Sequence, residues 1–218
     1  MTLKLVIGNK NYSSWSMRPW LALRANDIAF EEVFIPLYTG DADKQRILGV
    51  TRSGKVPALV DGDVTVWDSL AIIEYLAERF PDARLWPEDR ASRAHARSIS
   101  AEMHSGFMAL RSECPMNLHR PVRGIALSED ARANIARIQA IWLECRKRHG
   151  KRGPFLFGAF GAADAMFAPL VYRFRTFAIE VASEVQAYMD TMLALPAVQE
   201  WTKAGLAETL LIDRVEAI

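Results

Sequence analysis

The texture of this 218-residue chain changes once, near Pro81, and that change limits its fold more than any other feature. Before it, short strand-like runs alternate with helical ones. Leu3-Lys4-Leu5-Val6-Ile7 has strand character, and a polar turn follows from Gly8 to Tyr12. Trp15, Met17, Trp20, Leu21 and Leu23 then sit among helix formers as far as Asn26, and Phe30 to Ile35 alternates weakly as a second strand. Ala58-Leu59-Val60 and Val64-Thr65-Val66 flank Asp61-Gly62-Asp63, an arrangement of apolar and β-branched runs about an Asp-Gly turn that predicts a hairpin. Leu70, Ile72, Ile73, Leu76, Ala77 and Phe80 recur at helical spacing. The predicted order is β-α-β-(loop or helix)-β-β-α.

Pro81 to Glu88 is a punctuated connector, and beyond it strand alternation fades. Long amphipathic helices are predicted over Ala91 to Leu110, Ser128 to Lys147, Ala162 to Ile179 and Ser183 to Leu195, with a last one opened by Pro196-Ala197, where proline suits a first turn. Ser128-Glu129-Asp130 supplies an N-cap with an acidic first turn, and Gly150 a stop. The chain therefore divides into an α/β domain over residues 1–80, a linker over 81–90 and an all-helical domain over 91–218.

Charge removes several function classes. The chain carries 27 basic and 26 acidic side chains, and neither half has the clearly basic balance of a nucleic-acid binder. No apolar run approaches the roughly 18 residues that span a membrane. Lys4 interrupts the first apolar stretch, and no small-residue cleavage site follows it, so the start does not read as a signal peptide. The two cysteines, Cys114 and Cys145, match neither a disulfide framework nor a zinc pattern. They read as buried small hydrophobes in a reducing cytoplasm. His95, His104, His119 and His149 show no metal spacing, and no metal is expected.

Three motifs carry chemistry, and one stretch only imitates a fourth. Gly49 to Lys55 fits the start of a phosphate-binding loop, but Val56 stands where Ser or Thr would hold magnesium, and Pro57 follows where a helix should begin. The same stretch reads better as Lys55-Val56-Pro57-Ala58-Leu59-Val60, a proline at a strand start. A cis bond there turns the Val56 backbone outward, free to pair with an extended peptide-like ligand; the plainer reading is a turn. Asp68-Ser69 precedes the apolar helix and suits capping. The same pair suits an amino-acid end, because a helix N-terminus takes a carboxylate and Asp68 an ammonium. Asn11 to Trp20 places three serine hydroxyls, on Ser13, Ser14 and Ser16, between first strand and first helix. One caps the helix; another is able to donate to an anion there, and such surroundings convert a thiol of pKa about 8.5 toward thiolate.

Ser13-Ser14-Trp15-Ser16-Met17-Arg18, Lys55 to Leu59 and Asp68 to Leu76 together resemble the cytosolic glutathione transferases, in the serine-type group that includes the theta and zeta classes. The resemblance extends over essentially the whole chain. It implies an α/β thioredoxin-like N-terminal domain plus an all-α C-terminal domain, the glutathione transferase architecture. It also implies glutathione as co-substrate, a small electrophile as the second substrate, and a cytoplasmic homodimer active in detoxification, with neither membrane nor nucleic-acid partner.

Residue roles follow by resemblance. Ser14, four before Arg18, is the first candidate to stabilise the glutathione thiolate, and Ser13 the second, because zeta-like sequences carry adjacent serines. Trp15 and Arg18 join the glutathione-binding set. Val56, ahead of Pro57, resembles the residue that pairs with the cysteinyl backbone, and Asp68 with Ser69 the pair that holds the γ-glutamyl end. Lys55 or Lys44 meets the glycine carboxylate. His104, Met108 and Arg111, spaced four and three apart on the first helix of the second domain, line the electrophile pocket; a core or interface role is the plainer reading for Met108. Two departures stand out. Trp15 replaces the cysteine of zeta-like motifs, weakening a specific isomerase assignment such as maleylacetoacetate isomerase. In Phe160-Gly161-Ala162-Ala163-Asp164, Gly161 replaces the usual Ser or Thr cap, leaving Asp164 to satisfy the helix amides. Arg146 to Arg152 is a basic run at a helix end, where cations complement the dipole. A non-catalytic interaction protein of the same fold is the remaining alternative.

Overall fold

A computed structural model describes residues 2–218. Four strands, β1 (Leu3–Ile7), β2 (Phe30–Phe34), β3 (Ala58–Asp61) and β4 (Val64–Trp67), form one sheet in the order β2-β1-β3-β4. β1 runs parallel to β2, with Leu5 opposite Glu32, and antiparallel to β3, with Leu5 opposite Leu59. The β3–β4 hairpin closes on Gly62 at φ 58°, a conformation glycine adopts without a steric penalty. β1 occupies an interior position in the sheet, and all its side chains except Lys4 are buried, as a strand covered on both faces requires. Helices α1 (Ser14–Arg24) and α3 (Ser69–Arg79) pack against Leu5, Ile7 and Leu59 on one face. On the other face Ile47 of α2 (Asp41–Val50) meets Val6, Ile35 and Ala58.

The remaining helices are α4 (Arg90–Ser105), α5 (Met108–Glu113), α6 (Glu129–His149), α7 (Ala162–Thr176), α8 (Ser183–Ala194), α9 (Pro196–Leu206) and the short α10 (Asp213–Glu216). α7 is buried along nearly its whole length and packs on both α1 and α4. One apolar core therefore runs from the sheet through α1 into the helical bundle.

One expected helix divides. The segment expected as continuous over Ala91 to Leu110 breaks at Gly106 and Phe107. A Cβ on Gly106 would lie 2.7 Å from the Glu102 carbonyl oxygen, and Phe107 turns left-handed at φ 60°. His104 and Arg111 consequently sit on separate helices, and the single face proposed for His104, Met108 and Arg111 does not exist.

The Gly161 departure has a steric cause. A Cβ at this position would lie 2.8 Å from the Leu85 carbonyl oxygen, to which the next residue, Ala162, donates its N–H at 2.7 Å. The linker passes too close for a side chain. Asp164 supplies the cap instead, accepting from the Gly161 N–H at 3.0 Å.

Candidate functional site

The turn between β1 and α1 carries the serines, and distant parts of the chain hold it in place. Asn9 Oδ1 accepts from the Leu37 N–H and Asn11 Oδ1 from the Leu118 N–H. The Glu208 carboxylate accepts from the N–H groups of Lys10 and Asn11, at 2.6 and 3.1 Å. α9 approaches so closely that a Cβ on Gly205 would sit 3.2 Å from the Asn11 nitrogen.

Each hydroxyl of the turn has a distinct position. Ser13 caps α1: its Oγ accepts from the Ser16 N–H and donates to Ser16 Oγ at 2.8 Å, and Ser16 Oγ accepts from the Gly8 N–H. Its proton is thereby committed inside the turn. Ser13→Ala should cost about 1 kcal/mol of stability and leave the reactivity of a thiol bound beside Ser14 unchanged; a denaturant titration and a pH–rate profile check the two halves. Tyr12, whose hydroxyl competes by proximity, donates to Glu216 at 2.5 Å and accepts from the Ile212 N–H. Burial and that carboxylate push it up to about 12. Ser14, in the first turn of α1, has only one side-chain partner, Nη2 of Arg173 at 3.5 Å. Its own proton has no acceptor among the described residues.

The sequence-predicted residues divide into those brought together and those left apart. Asp68 caps α3 from a left-handed backbone (φ 77°), with Oδ1 accepting from the N–H groups of Leu70 and Ala71. Its Oδ2 lies 3.1 Å from His104 Nε2. Such a conformation costs a non-glycine residue about 1–3 kcal/mol and persists only where its surroundings enforce it. Ser69 is fully buried, and its Oγ accepts from Nη1 of the equally buried Arg18 at 3.3 Å. The guanidinium carbons of Arg18 and Arg111 lie 4.4 and 4.6 Å from the centre of the Trp15 ring, and the His104 ring meets it edge-on at 5.1 Å. The Val56–Pro57 bond is cis, and the Val56 backbone makes no hydrogen bond with a described residue. By contrast Lys44 and Lys55 are exposed without an ion pair to any described residue, and Met108 is 59% exposed.

Arg173 was not legible as a site residue. It lies on α7, nine positions after Asp164, and is only 5% exposed. Its Nε donates to the Cys114 carbonyl oxygen at 2.8 Å, and Nη1 has no partner among the described residues. The available signal was an arginine inside an otherwise apolar helix, Phe167 to Phe174, since a buried charge requires a partner. Burial lowers the Arg18 and Arg173 guanidiniums to about 9, helped by their like-charged neighbours, so both remain protonated at neutral pH. Burial also pushes His104 down against the opposing pull of Asp68, favouring a neutral ring that donates to that carboxylate. The cluster thus holds three guanidiniums, Arg18, Arg111 and Arg173, and one carboxylate, Asp68. Buried charge left uncompensated is costly, and this arrangement is complementary to an anion.

The two cysteines are buried and free, with burial pushing Cys114 up to about 11 and Cys145 to about 12. Both are poor nucleophiles there. Among the described residues no His, Cys, Asp and Glu grouping is suited to a metal ion, and no helix is long and apolar enough to cross a membrane.

Comparison with known proteins agrees with the fold. Residues 12–79 match the family described as glutathione S-transferase, N-terminal domain, and residues 125–204 match glutathione S-transferase, C-terminal domain. The chain belongs to the glutathione S-transferase family. It is 30% identical to a probable maleylacetoacetate isomerase of Caenorhabditis elegans, over 85% of this chain and 86% of that protein. It is 37% identical to the zeta-class glutathione S-transferase of Euphorbia esula, over 48% of this chain and 47% of that one. The fold matches a glutathione transferase homolog from Burkholderia GL BGR1, solved with bound glutathione, at a TM-score of 0.73 and 24% identity, covering 95% of this chain and 100% of that one. The thioredoxin-like first domain and helical second domain of the family are therefore both present in this glutathione S-transferase.

Proposed function

We propose that this glutathione transferase binds glutathione along the N-termini of α1 and α3 and adds its thiolate to a small electrophile. The observation that carries this reading is the Ser14 hydroxyl, buried against the Arg173 guanidinium and with its proton uncommitted among the described residues. Asp68 takes the ammonium of the γ-glutamyl end, and Ser69 takes its carboxylate through its N–H and hydroxyl at the start of α3, while Arg18 donates to Ser69 Oγ. The free backbone of Val56 pairs with the cysteinyl unit as a strand pairs with a sheet edge. Lys55 or Lys44 meets the glycine carboxylate. The thiol loses its proton to solvent, Ser14 donates to the resulting thiolate, and the sulfur forms a bond to the electrophilic carbon. Trp15, His104 and Arg111 form the wall that the second substrate meets, and Met108 its outer edge. A cytoplasmic homodimer acting in detoxification completes the reading.

Calorimetric titration with glutathione, followed by a panel of electrophiles, tests it; absence of binding returns the chain to the non-catalytic alternative. Asp68→Ala should raise KM for glutathione about tenfold or more, because a hydrogen bond to a charged group contributes about 1.5–3 kcal/mol, and should change kcat less. A second reading, glutathione-dependent cis-trans isomerisation, draws on the 30% identity to the probable maleylacetoacetate isomerase. Turnover of maleylacetoacetate separates the two activities.

A further inference from the structure

We infer that Arg173 orients the Ser14 hydroxyl, accounting for its oxygen so that its hydrogen is left for the thiolate. This rests on the reading of Ser14 given above. A guanidinium has donors and no acceptor, so Ser14 Oγ meets Arg173 Nη2 only as an acceptor. That leaves the O–H of Ser14 as the group it offers, and no described residue receives it. The contrast lies one residue earlier, where Ser13 and Ser16 consume each other's hydrogen-bonding capacity.

The arginine is itself fixed. Its Nε donates to the Cys114 carbonyl oxygen, which sets the plane of the guanidinium, and α7 packs directly on α1. The helical domain therefore reaches the Ser14 hydroxyl itself through the Arg173 side chain. A hydroxyl that accepts from a cation is polarised and becomes a stronger donor. The charged or titratable groups acting on Arg173 are Arg18 on α1, Arg111 on α5 and Cys114 after it; around these lie Asp68, paired with His104, beside Arg18, and Glu113 and Arg120 beside Cys114. Positive charge predominates among them, and an opposite charge within about 4–6 Å lowers a thiol's pKa by one unit or more.

The test is the pKa of glutathione's thiol in the binary complex, followed by the ultraviolet absorbance of the thiolate, together with the pH profile of kcat/KM. Arg173→Gln should raise the bound thiol's pKa by about one unit or more and lower kcat/KM near neutral pH about tenfold to a hundredfold. The loss should shrink as pH rises, with the KM for glutathione little changed. Ser14→Ala should raise the same pKa, and Arg173→Gln added to Ser14→Ala should bring little further change, as expected when one residue acts through the other.

Arg173→Gln with a wild-type thiol pKa and pH profile would overturn the proposal, and so would full additivity in the double variant. Ser14→Ala that leaves the thiol pKa alone would instead overturn the Ser14 reading itself. If Arg173→Gln does not fold, Arg173→Lys carries the test. Its ammonium retains the charge but lacks the fork that reaches both the Cys114 carbonyl and Ser14, so kcat should drop about tenfold at unchanged KM for glutathione. An Arg173→Lys enzyme with the wild-type kcat and pH profile overturns the proposal.

Discussion

Ser14→Ala is expected to lower kcat/KM for conjugation by about 10²–10³-fold, the usual loss when one preorganised donor to a developing or resident negative charge is removed. The protein should remain folded, because the turn's structural load falls on the neighbouring hydroxyls. Ser13 Oγ caps the Ser16 N–H, and Ser16 Oγ takes the Gly8 N–H, while Ser14 contributes one long contact to Arg173. Alanine in the first turn of a helix is well tolerated. A thermal melt within a few degrees of wild type, combined with a collapsed rate and near-normal glutathione binding, is the expected signature. A rate within threefold of wild type would move the thiolate's donor elsewhere in the turn.

Asp164→Ala should have the largest effect on stability, about 3–5 kcal/mol by denaturant titration. The Asp164 carboxylate is buried and accepts from the Leu156 N–H at 3.0 Å, the Gly161 N–H at 3.0 Å and the Tyr188 hydroxyl at 3.1 Å. Removing it leaves three buried donors unpaired, each costing about 1–3 kcal/mol, with some relief from relaxation of the 153–160 loop. Asp164→Asn preserves the shape and one acceptor and should lose less.

The same residue predicts a pH effect. Burial pushes the Asp164 carboxyl up to about 7 from an ordinary 3.8, against the pull of its donors. The folded state therefore holds this proton more tightly than the unfolded state. The stability so contributed is complete below about pH 4 and is lost as pH rises through about 7. Measured side by side, wild type should gain stability relative to Asp164→Asn as pH falls across that window. A constant difference would mean that the carboxyl titrates normally.

Much of the fold was legible because it rests on local periodicity. The five-residue run at β1, the Asp-Gly hairpin and the apolar stripe of α3 each announce their type within about ten residues. The break between α4 and α5 was not legible, because a lone glycine inside a helical pattern does not by itself end a helix, and the left-handed Phe107 carries no signal in its side chain. The site divides the same way. Asp68-Ser69 and Val56-Pro57 could be proposed from short motifs, since helix caps and strand-initial prolines are local devices. The sequence ranks Ser14 before Ser13 only by its spacing to Arg18, because the contacts that separate them, Ser13 to Ser16 and Ser14 to Arg173 159 positions away, belong to the fold. The buried position of Arg173 depends on how α7 lies across α1, which no nearby residue encodes.

The serine turn also has an order of assembly. The carboxylate that holds the Lys10 N–H comes from Glu208, 198 positions downstream, and the Tyr12 hydroxyl is held by Glu216, 204 positions downstream. Domains emerging from a ribosome generally fold from the N-terminus onward. A newly made first domain would therefore have its sheet and its serines while the N–H groups of Lys10 and Asn11 still faced water. The turn reaches its final geometry only when the segment after α9 has been synthesised and docked. Competence to activate a thiol would then wait for that downstream segment, long after the strand and helix that carry Ser14 have formed.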